Sequence, residues 1–178
     1  MFKFLNFSIK FIIIFFVLVI FFVFSTLWYF SVGLPDYKKL SNYQPPISSR
    51  VYSENNKLIA EYALEKRLFI PFESIPDKVI NSFLSAEDKN FFSHPGVDAK
   101  GILRAIFKNI KNISQNKRLE GASTITQQVA KNFLLTNEVS IKRKVKEAIL
   151  AFRIERAYTK QRILELYLNQ IYLGQGTY

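Results

Sequence analysis

The chain has 178 residues, of which 25 are Lys or Arg and 14 are Asp or Glu, giving a formal charge of +11. This length accommodates one medium-sized domain and excludes two large enzymatic domains. No cysteine and a single histidine are present, which excludes a disulfide scaffold, a thiolate metal site and a multi-histidine metal centre. A site in which carboxylates hold a hard cation is not excluded.

The first 35 residues have the pattern of a membrane-spanning segment. Every residue from Phe11 to Phe24 is apolar, and no charged residue follows until Asp36. As a helix, the 25 uncharged positions would extend about 37 Å, which exceeds a hydrocarbon core of about 30 Å. A cleaved signal peptide is less favoured, because bulky side chains rather than small ones follow at 27–30. We therefore predict an uncleaved anchor, with Trp28 and Tyr29 in the aromatic belt at one interface.

The charges that flank the anchor give a weak indication of its orientation. Lys3, Lys10 and the amino terminus precede it, whereas Lys38 and Lys39, offset by Asp36, follow it. The positive-inside rule then favours a cytoplasmic amino terminus and places the remaining 144 residues on the other side of the membrane. The absence of cysteine is compatible with that location.

The positive charge is concentrated in the second half of the chain. Residues 35–98 carry 8 basic and 9 acidic residues, whereas residues 99–178 carry 15 basic and 5 acidic residues. A basic surface beside a membrane indicates anionic lipid head groups, phosphate or pyrophosphate as ligands, and nucleic acid is the other generic partner. A solvated charged face is the simpler interpretation, and charge alone does not separate these.

Between the anchor and residue 76 the pattern predicts a polar connector followed by short strands. Two strands at 50–53 and 58–62 flank a turn at 54–57, and a third strand at 67–70 stops at a proline. The spacing then becomes helical, and Asp77 is the predicted N-cap of the first helix. Its apolar stripe consists of Val79, Ile80, Phe83 and Leu84.

The second predicted helix, at 98–113, carries isoleucines at four-residue spacing among basic residues. It would lie either in the membrane interface or in the core with basic flanks, and the sequence favours neither. A polar, mobile segment is expected at 112–120. The stripe is Ile102, Ile106 and Ile110, and the basic residues are Lys100, Arg104, Lys108 and Lys111.

Three further helices complete the prediction. One covers 124–133, a long one begins at a Ser140 cap, and a strongly apolar one covers 163–173. The chain then stops at 174–178 without a polar tail, so we expect a truncated chain. The predicted buried side of the long helix is Ile141, Val145, Ala148, Ile149 and Phe152.

Two adjacent carboxylates, Glu87 and Asp88, stand at the end of the first helix. A carboxylate at this junction, partly desolvated by Phe91 or Phe92, would be suited to take a proton near neutral pH. A solvated pair at a helix end is the simpler alternative. We expect His94 to be a structural hydrogen-bonding residue, since no second histidine exists to complete a metal site.

The segment 121–132 opens with glycine and hydroxyl groups and continues as a helix. Gln127 and Gln128 precede Lys131 by four and three residues, so amides and an ammonium group share one face. Together with the hydroxyls they suit sugar hydroxyls and phosphate oxygens. Taken alone, an ordinary capped polar helix is the simpler interpretation.

The segment 143–147 places one acid, Glu147, among three bases, Arg143, Lys144 and Lys146. This arrangement is typical of an ion-paired surface. It would equally hold a pyrophosphate while Glu147 orients a base or a cation. The segment alone leaves both interpretations open.

Taken together and in order, these segments and the last helix resemble the glycosyltransferase domain of class A penicillin-binding proteins, the family 51 peptidoglycan glycosyltransferases. The resemblance implies a mainly α, lysozyme-like fold with a short β segment and an N-terminal transmembrane helix. It divides the chain into a cytoplasmic tip and anchor at 1–34, a connector at 35–49 and a glycosyltransferase domain at 50–178. The matching residues are Glu87, Asp88, Phe91, His94, Gly96, Gly121, Ser123, Thr124, Gln127, Gln128, Lys131, Asn132, Arg143, Lys144, Glu147, Ala151, Glu155, Lys160, Ile163, Leu164, Glu165, Tyr167, Leu168, Asn169 and Gly174.

The same resemblance implies polymerisation of lipid II into β-1,4-linked glycan strands on the periplasmic side of the bacterial inner membrane. Glu87 would be the general base on the acceptor 4-hydroxyl, which attacks the anomeric carbon with inversion and releases polyprenyl pyrophosphate. Glu147 would be the second catalytic carboxylate, and Lys131 and Lys146 would neutralise the leaving group. The implied substrate-binding residues are Asp88, Arg104, Ser123, Thr124, Gln127, Gln128, Lys131, Asn132, Arg143, Lys144 and Lys146.

The implied partners are lipid II, the growing glycan polyprenyl pyrophosphate, membrane lipids and other cell-wall synthesis proteins, with no nucleic acid. No cofactor is fixed by the sequence, and a divalent cation, Mg²⁺ or Mn²⁺, near Glu87 or Glu147 stays an open alternative. The chain departs from the family at Val139, where many members carry an arginine that Lys142 would replace. The last family motif and the transpeptidase domain are missing, so we expect no penicillin binding and leave the activity of the chain as given open.

Three other functions stay open at this point. A lytic hydrolase would cut finished glycan, but the basic cluster argues against it. A non-enzymatic, membrane-tethered module would bind lipid II without turnover. Nucleic-acid binding is a distant alternative, because the anchor places the basic face outside the cytoplasm.

Overall fold

The amino-terminal helix α1 (Phe2–Ser31) contains the predicted anchor. In this computed structural model, which describes residues 2–41, 43, 49–62, 69–136 and 138–174, the stretch Lys10–Ser31 lies outside the protein core. It is long and apolar enough to cross a bilayer. Trp28 and Tyr29 are both exposed near its end, as interfacial aromatic residues would be.

The segment after α1 is tied to the core rather than loose. Residues Tyr37–Leu40 form a short 3-10 helix, and the Asp36 carboxylate accepts a hydrogen bond from the Lys38 N–H at its start. Leu40 is only 2% exposed within the core. The Tyr158 hydroxyl donates to the Tyr37 carbonyl at 3.0 Å. The predicted connector is therefore a packed strap over its described residues, while 42 and 44–48 lie outside them.

The predicted hairpin is confirmed. Strands β1 (Ser49–Tyr52) and β2 (Leu58–Tyr62) pair antiparallel around the turn. Asn56 adopts a φ of +55° there, a left-handed conformation that asparagine tolerates. The predicted third strand falls partly on 67–68, which lie outside the described residues, and its last two residues are not in a strand.

Five helices follow: α2 (Asp77–Glu87), α3 (Ala99–Ser114), α4 (Ile125–Leu134), α5 (Ile141–Ala157) and α6 (Lys160–Leu168). The side chains of Asp98, Thr124, Ser140 and Thr159 each accept a bond from the N–H three residues on and so cap α3 to α6. The predicted Asp77 cap is wrong, because Pro76 is the N-cap residue and Asp77 is already helical.

The last helix differs from its prediction at both ends. It begins at Lys160 because Thr159 caps it, and it ends at Leu168 rather than at residue 173. The Asn169 amide donates to the Glu165 carbonyl and also to the Ile70 carbonyl, at 2.8 and 2.9 Å. These bonds to a distant segment close the helix although the sequence stays apolar.

The core lies where α4, α5 and α6 pack on one another. The buried residues of α5 are Glu147, Leu150, Ala151 and Ile154, so the predicted buried side is wrong. Ile141 is 85% exposed and Phe152 is 45% exposed. Helix α5 is apolar on two faces, and α4 and α6 cover one of them. It also contacts α1, where the Arg153 guanidinium donates to the Ser31 hydroxyl.

Helix α3 stands apart from this core. Only Gly101 and Ala105 are buried, so the interpretation of α3 as a core helix is wrong. Its apolar side chains face outward instead, with Phe107 at 72% exposure. The exposed set is Leu103, Ile106, Phe107, Ile110 and Ile113, which we call the α3 apolar face.

Replacing Leu40 by alanine tests whether the strap belongs to the core. We expect Leu40→Ala to lower the free energy of unfolding by about 2–5 kcal/mol, because it empties a filled site in the core. Denaturant unfolding in detergent micelles, followed by circular dichroism, measures this. Leu119→Ala removes the same atoms from a 56% exposed side chain and is the control. Equal effects of the two variants would show that the strap is not part of the core.

Candidate active site

A cavity of about 890 Å³ opens where the end of α2, the start of α3, the segment before α4, and the helices α4 and α5 meet. It is lined by eleven of the thirteen predicted site residues: Glu87, Asp88, Arg104, Ser123, Thr124, Gln127, Gln128, Lys131, Arg143, Lys144 and Glu147. Asn132 and Lys146 are not in the lining. Each is a sequence neighbour of a lining residue, Asn132 following Lys131 and Lys146 preceding Glu147, and one residue corresponds to a turn of about 100° around the helix.

Glu87 is the last residue of α2 and lies exposed at the cavity rim. The Gln128 amide of α4 donates to its Oε2 at 2.9 Å. Of the two adjacent carboxylates, Asp88 is buried and Glu87 is exposed, so the expected burial applies to Asp88. Phe91 is fully buried with its ring 6.3 Å from that of His94, and Phe92 is exposed.

Asp88 is bound on the protein side of the cavity wall. Both carboxylate oxygens lie 3.0 Å from His94 Nε2, and Oδ2 also accepts a bond from the Ile125 N–H, the first of α4. The Gly96 N–H donates to His94 Nδ1, so the neutral ring carries its proton on Nε2 and donates it to Asp88. His94 is thus the structural hydrogen-bonding residue that the sequence predicted. Asp88 holds the end of α2 against the start of α4.

Gly96 completes this junction. It has a φ of +97°, and its carbonyl accepts a bond from the Thr124 hydroxyl at 2.6 Å. A Cβ added at Gly96 would come within 2.8 Å of the Ala151 carbonyl oxygen. Thr124 also forms a capping box with Gln127. These bonds fix the direction in which α4 leaves the cavity wall.

Glu147 forms the second charged centre of the cavity. It is 2% exposed, its Oε2 lies 2.7 Å from the Lys144 ammonium, and its Oε1 lies 3.3 Å from Arg143 Nη1. The Lys144 ammonium also reaches the Ser123 hydroxyl at 2.5 Å. Among the described residues, Arg143 Nε and Nη1 and Glu147 Oε1 have no hydrogen-bond partner. Two cations anchored by one buried carboxylate, with N–H groups in reserve, form a site for an anion.

The cavity contains charged residues that the sequence analysis did not assign. Lys108 and Arg118 both line it, and Lys108 is ion-paired with Glu120. The segment at 112–120, predicted to be mobile, is bonded to α3 where the Asn109 amide and the Glu120 backbone exchange two hydrogen bonds. The four-residue spacing of Arg104 and Lys108 was the available signal for Lys108.

The structure has no preformed cage for the divalent cation left open above. Over the described part of the chain, no group of three or more acidic or histidine side chains is close enough to hold a metal ion. Glu147 is already paired with two basic side chains. Asp98, another lining carboxylate, caps α3, and the bonds from Gly101 and Asn90 hold its pKa below the ordinary value.

Comparison with known proteins assigns the chain to a family. A family model described as Transglycosylase matches residues 55–178. The chain belongs to the transglycosylase family. Its mainly helical architecture, with one two-stranded sheet, confirms the predicted lysozyme-like fold class.

The chain is also similar to proteins named penicillin-binding protein 1A. It is 59% identical to that of Rickettsia felis over 152 residues, which are 85% of this chain and 19% of the relative. It is 47% identical to that of Aquifex aeolicus over 146 residues, or 82% and 20% of the two chains. For Pseudomonas aeruginosa the identity is 49% over 150 residues, or 84% and 18%. The chain therefore spans about a fifth of the length of these relatives.

Gly96→Ala tests the close packing of the junction. We expect it to lower the free energy of unfolding by at least about 1–2 kcal/mol, because alanine disfavours this φ and its methyl group meets Ala151. Gly121→Ala is the control, since a Cβ there meets nothing within 4 Å and its φ is not positive. Thermal unfolding of both variants measures the difference. A Gly96 variant as stable as the Gly121 variant would contradict the geometry described.

Proposed function

We propose that this chain is the glycosyltransferase part of a peptidoglycan synthase and polymerises lipid II into glycan strands. One observation carries the proposal. The rim carboxylate Glu87 and the anion site formed by Arg143, Lys144 and Glu147 line a single cavity. A base and an anion site in one cavity suit the transfer of a sugar from a pyrophosphate leaving group to a hydroxyl group.

Glu87 acts as the general base in this proposal. Its carboxylate takes the proton of the acceptor 4-hydroxyl, and the oxygen attacks the anomeric carbon of the growing chain. The bond from that carbon to the pyrophosphate oxygen breaks, and the configuration inverts. Gln128 orients Glu87 through the 2.9 Å bond to Oε2.

The pyrophosphate is bound by the basic residues of the cavity. Arg143 and Lys144 meet its oxygens, and Glu147 keeps both cations aligned through ion pairs at 3.3 and 2.7 Å. Lys131 and Arg104 supply further positive charge from α4 and α3. Lys146 lies outside the lining, so we leave it out of this step. Preorganised cations of this kind stabilise the charge that develops on the leaving group.

Five of the predicted site residues divide into contacting and supporting residues. Ser123 and Gln128 have polar groups at the lining and position the sugars. Thr124 and Gln127 bond to each other, and Thr124 bonds to Gly96, so both support the wall. Asp88 is likewise a supporting residue, because its oxygens are bound to His94 and Ile125.

Glu87→Gln tests the role of the base. We expect it to reduce polymerisation of labelled lipid II by this chain in detergent by about 10²-fold or more, because the amide cannot accept the proton. Asp77→Asn is the matched control, since Asp77 is exposed at the other end of α2. Asp88→Asn is unsuitable as a control, because it would disturb the bonds to His94 and α4.

The other outcomes of this assay separate the alternatives. Full activity of Glu87→Gln would remove Glu87 from the mechanism. Soluble fragments released from finished peptidoglycan would support a lytic hydrolase. Binding of lipid II without polymer from the wild-type chain would support a non-catalytic module.

We also propose that the domain lies on the periplasmic surface of the inner membrane, with the amino terminus in the cytoplasm. The charges that flank the anchor favour this orientation. The α3 apolar face supports contact with the membrane, because five large side chains exposed together beside basic residues are typical of an interfacial helix. Helix α1 ends next to α5, where Arg153 bonds to Ser31, so the domain sits close to the end of the anchor. A lipid-borne substrate would then reach the cavity without leaving the membrane.

Fluorescence quenching tests the placement of α3. Trp28 is the only tryptophan, so Trp28→Phe gives a silent background for Phe107→Trp. In vesicles of phosphatidylglycerol and phosphatidylethanolamine with brominated acyl chains, we expect strong quenching of the indole introduced at position 107. Tyr52→Trp in the same background, on the hairpin, should stay unquenched. Equal emission of the Phe107→Trp variant in brominated and plain vesicles would overturn the placement of α3 in the membrane interface.

A further inference from the structure

Tyr167 has a buried hydroxyl group that the fold does not use. Its side chain lies on α6 and is 1% exposed, and its Oη has no hydrogen-bond partner among the described residues. Other core-facing tyrosines are satisfied: the Tyr158 hydroxyl donates to the Tyr37 carbonyl, and the Tyr43 hydroxyl donates to Gln170. A buried hydroxyl without a partner costs free energy, so a phenylalanine would serve packing better at this position.

The position of Tyr167 relates it to the rim carboxylate. Its ring meets the ring of Phe83 edge to face, with the centroids 6.0 Å apart. Phe83 precedes Glu87 by one helical turn, so both lie on the same side of α2. Burial, and then the negative charge of Glu87, hold the pKa of the Tyr167 phenol well above its ordinary value. The hydroxyl therefore stays protonated at neutral pH and is available as a hydrogen-bond donor.

Glu87 is free to accept a second hydrogen bond. In the structure it is exposed and receives the Gln128 amide at Oε2. An ionised carboxylate accepts about four hydrogen bonds. Rotation about the side-chain bonds of an exposed residue is rapid, so the carboxylate is not restricted to the position in which it meets Gln128.

We propose that Tyr167 is a positioning residue for Glu87 and that its hydroxyl donates a hydrogen bond to the Glu87 carboxylate when that side chain turns inward. This proposal rests on the proposed role of Glu87 as the base. In that position Tyr167 of α6 and Gln128 of α4 would both donate to the carboxylate. A carboxylate held by two donors presents its remaining lone pair in one direction, which favours proton transfer from a bound acceptor sugar.

The first experiment observes the hydroxyl directly and does not depend on activity. The full chain is labelled with ¹³Cζ-tyrosine in detergent micelles, and its spectra are recorded between pH 7 and pH 3. We expect the Tyr167 signal to move over this pH range and this movement to vanish in Glu87→Gln. The Tyr158 signal should not respond in either chain. A Tyr167 signal that moves identically in wild type and Glu87→Gln would overturn the proposal.

The comparison isolates Glu87 from the other charges of the cavity. The same cavity is lined by other charged residues from several elements. They are Asp88, which follows Glu87, Arg104 of α3, Lys131 of α4, and Arg143, Lys144 and Glu147 of α5. All of these stay in place in Glu87→Gln. Any movement that they cause therefore persists in the variant, and only the contribution of Glu87 is lost.

The second experiment separates positioning from packing. Tyr167→Phe keeps the ring, so we expect an unchanged or higher Tm together with a fall in kcat of about tenfold at constant KM. Tyr158→Phe is the matched control, and we expect a lower Tm with unchanged kcat, because it loses a bond to the strap. An unchanged kcat in Tyr167→Phe, or a fall in Tm as large as that of Tyr158→Phe, would overturn the proposal.

A third variant covers the case in which Tyr167→Phe does not fold. Incorporation of 3-fluorotyrosine at position 167 keeps the ring and the hydroxyl but makes the hydroxyl a stronger donor. We expect its ¹³Cζ signal to respond to Glu87→Gln as the wild-type signal does. No response would overturn the proposal. If the wild-type chain makes no polymer while the spectra behave as expected, the proposed activity fails and the contact between Tyr167 and Glu87 stands.

Discussion

The buried hydrogen bonds between Asp88, His94 and the first N–H of α4 hold the cavity together. A carboxylate at a helix N-terminus accepts an N–H that has no partner within the helix, and it also meets the positive end of the helix dipole. His94 Nε2 lies 3.0 Å from both oxygens of Asp88, and the Lys160 ammonium donates to the His94 carbonyl at 2.8 Å. The backbone of Glu87 is held at the rim because the next residue, Asp88, is bound in the wall.

The charges of the cavity follow from one buried acid. Glu147 would be costly to bury alone, because an ionised carboxylate loses its hydration. Lys144 and Arg143 compensate that cost, and in return Glu147 holds two flexible basic side chains in place. The pairing leaves N–H groups of Arg143 unused, which is why the cluster is better suited to a ligand than to stability alone.

The strap and α3 relate the cavity to the membrane. Leu40 packs into the core, so the end of α1 is held against α5 instead of being joined through a loose linker. Helix α3, which also lines the cavity, exposes its apolar side chains to the outside. In the proposed function, a lipid-borne substrate and its polar head group would meet matching surfaces on this side of the domain.

The sequence determined the features that depend on neighbouring residues. The anchor follows from apolar length, the hairpin from its turn, and the starts of α3 to α5 from capping side chains, since these are local effects. The tertiary structure decided the rest. It chose which apolar face of α5 is buried, ended α6 through a bond between Asn169 and Ile70, and added Lys108 and Arg118 to the cavity. It also turned Asp88 into a wall residue and left Asn132 and Lys146 outside the lining, because long-range contacts set where each helix face points.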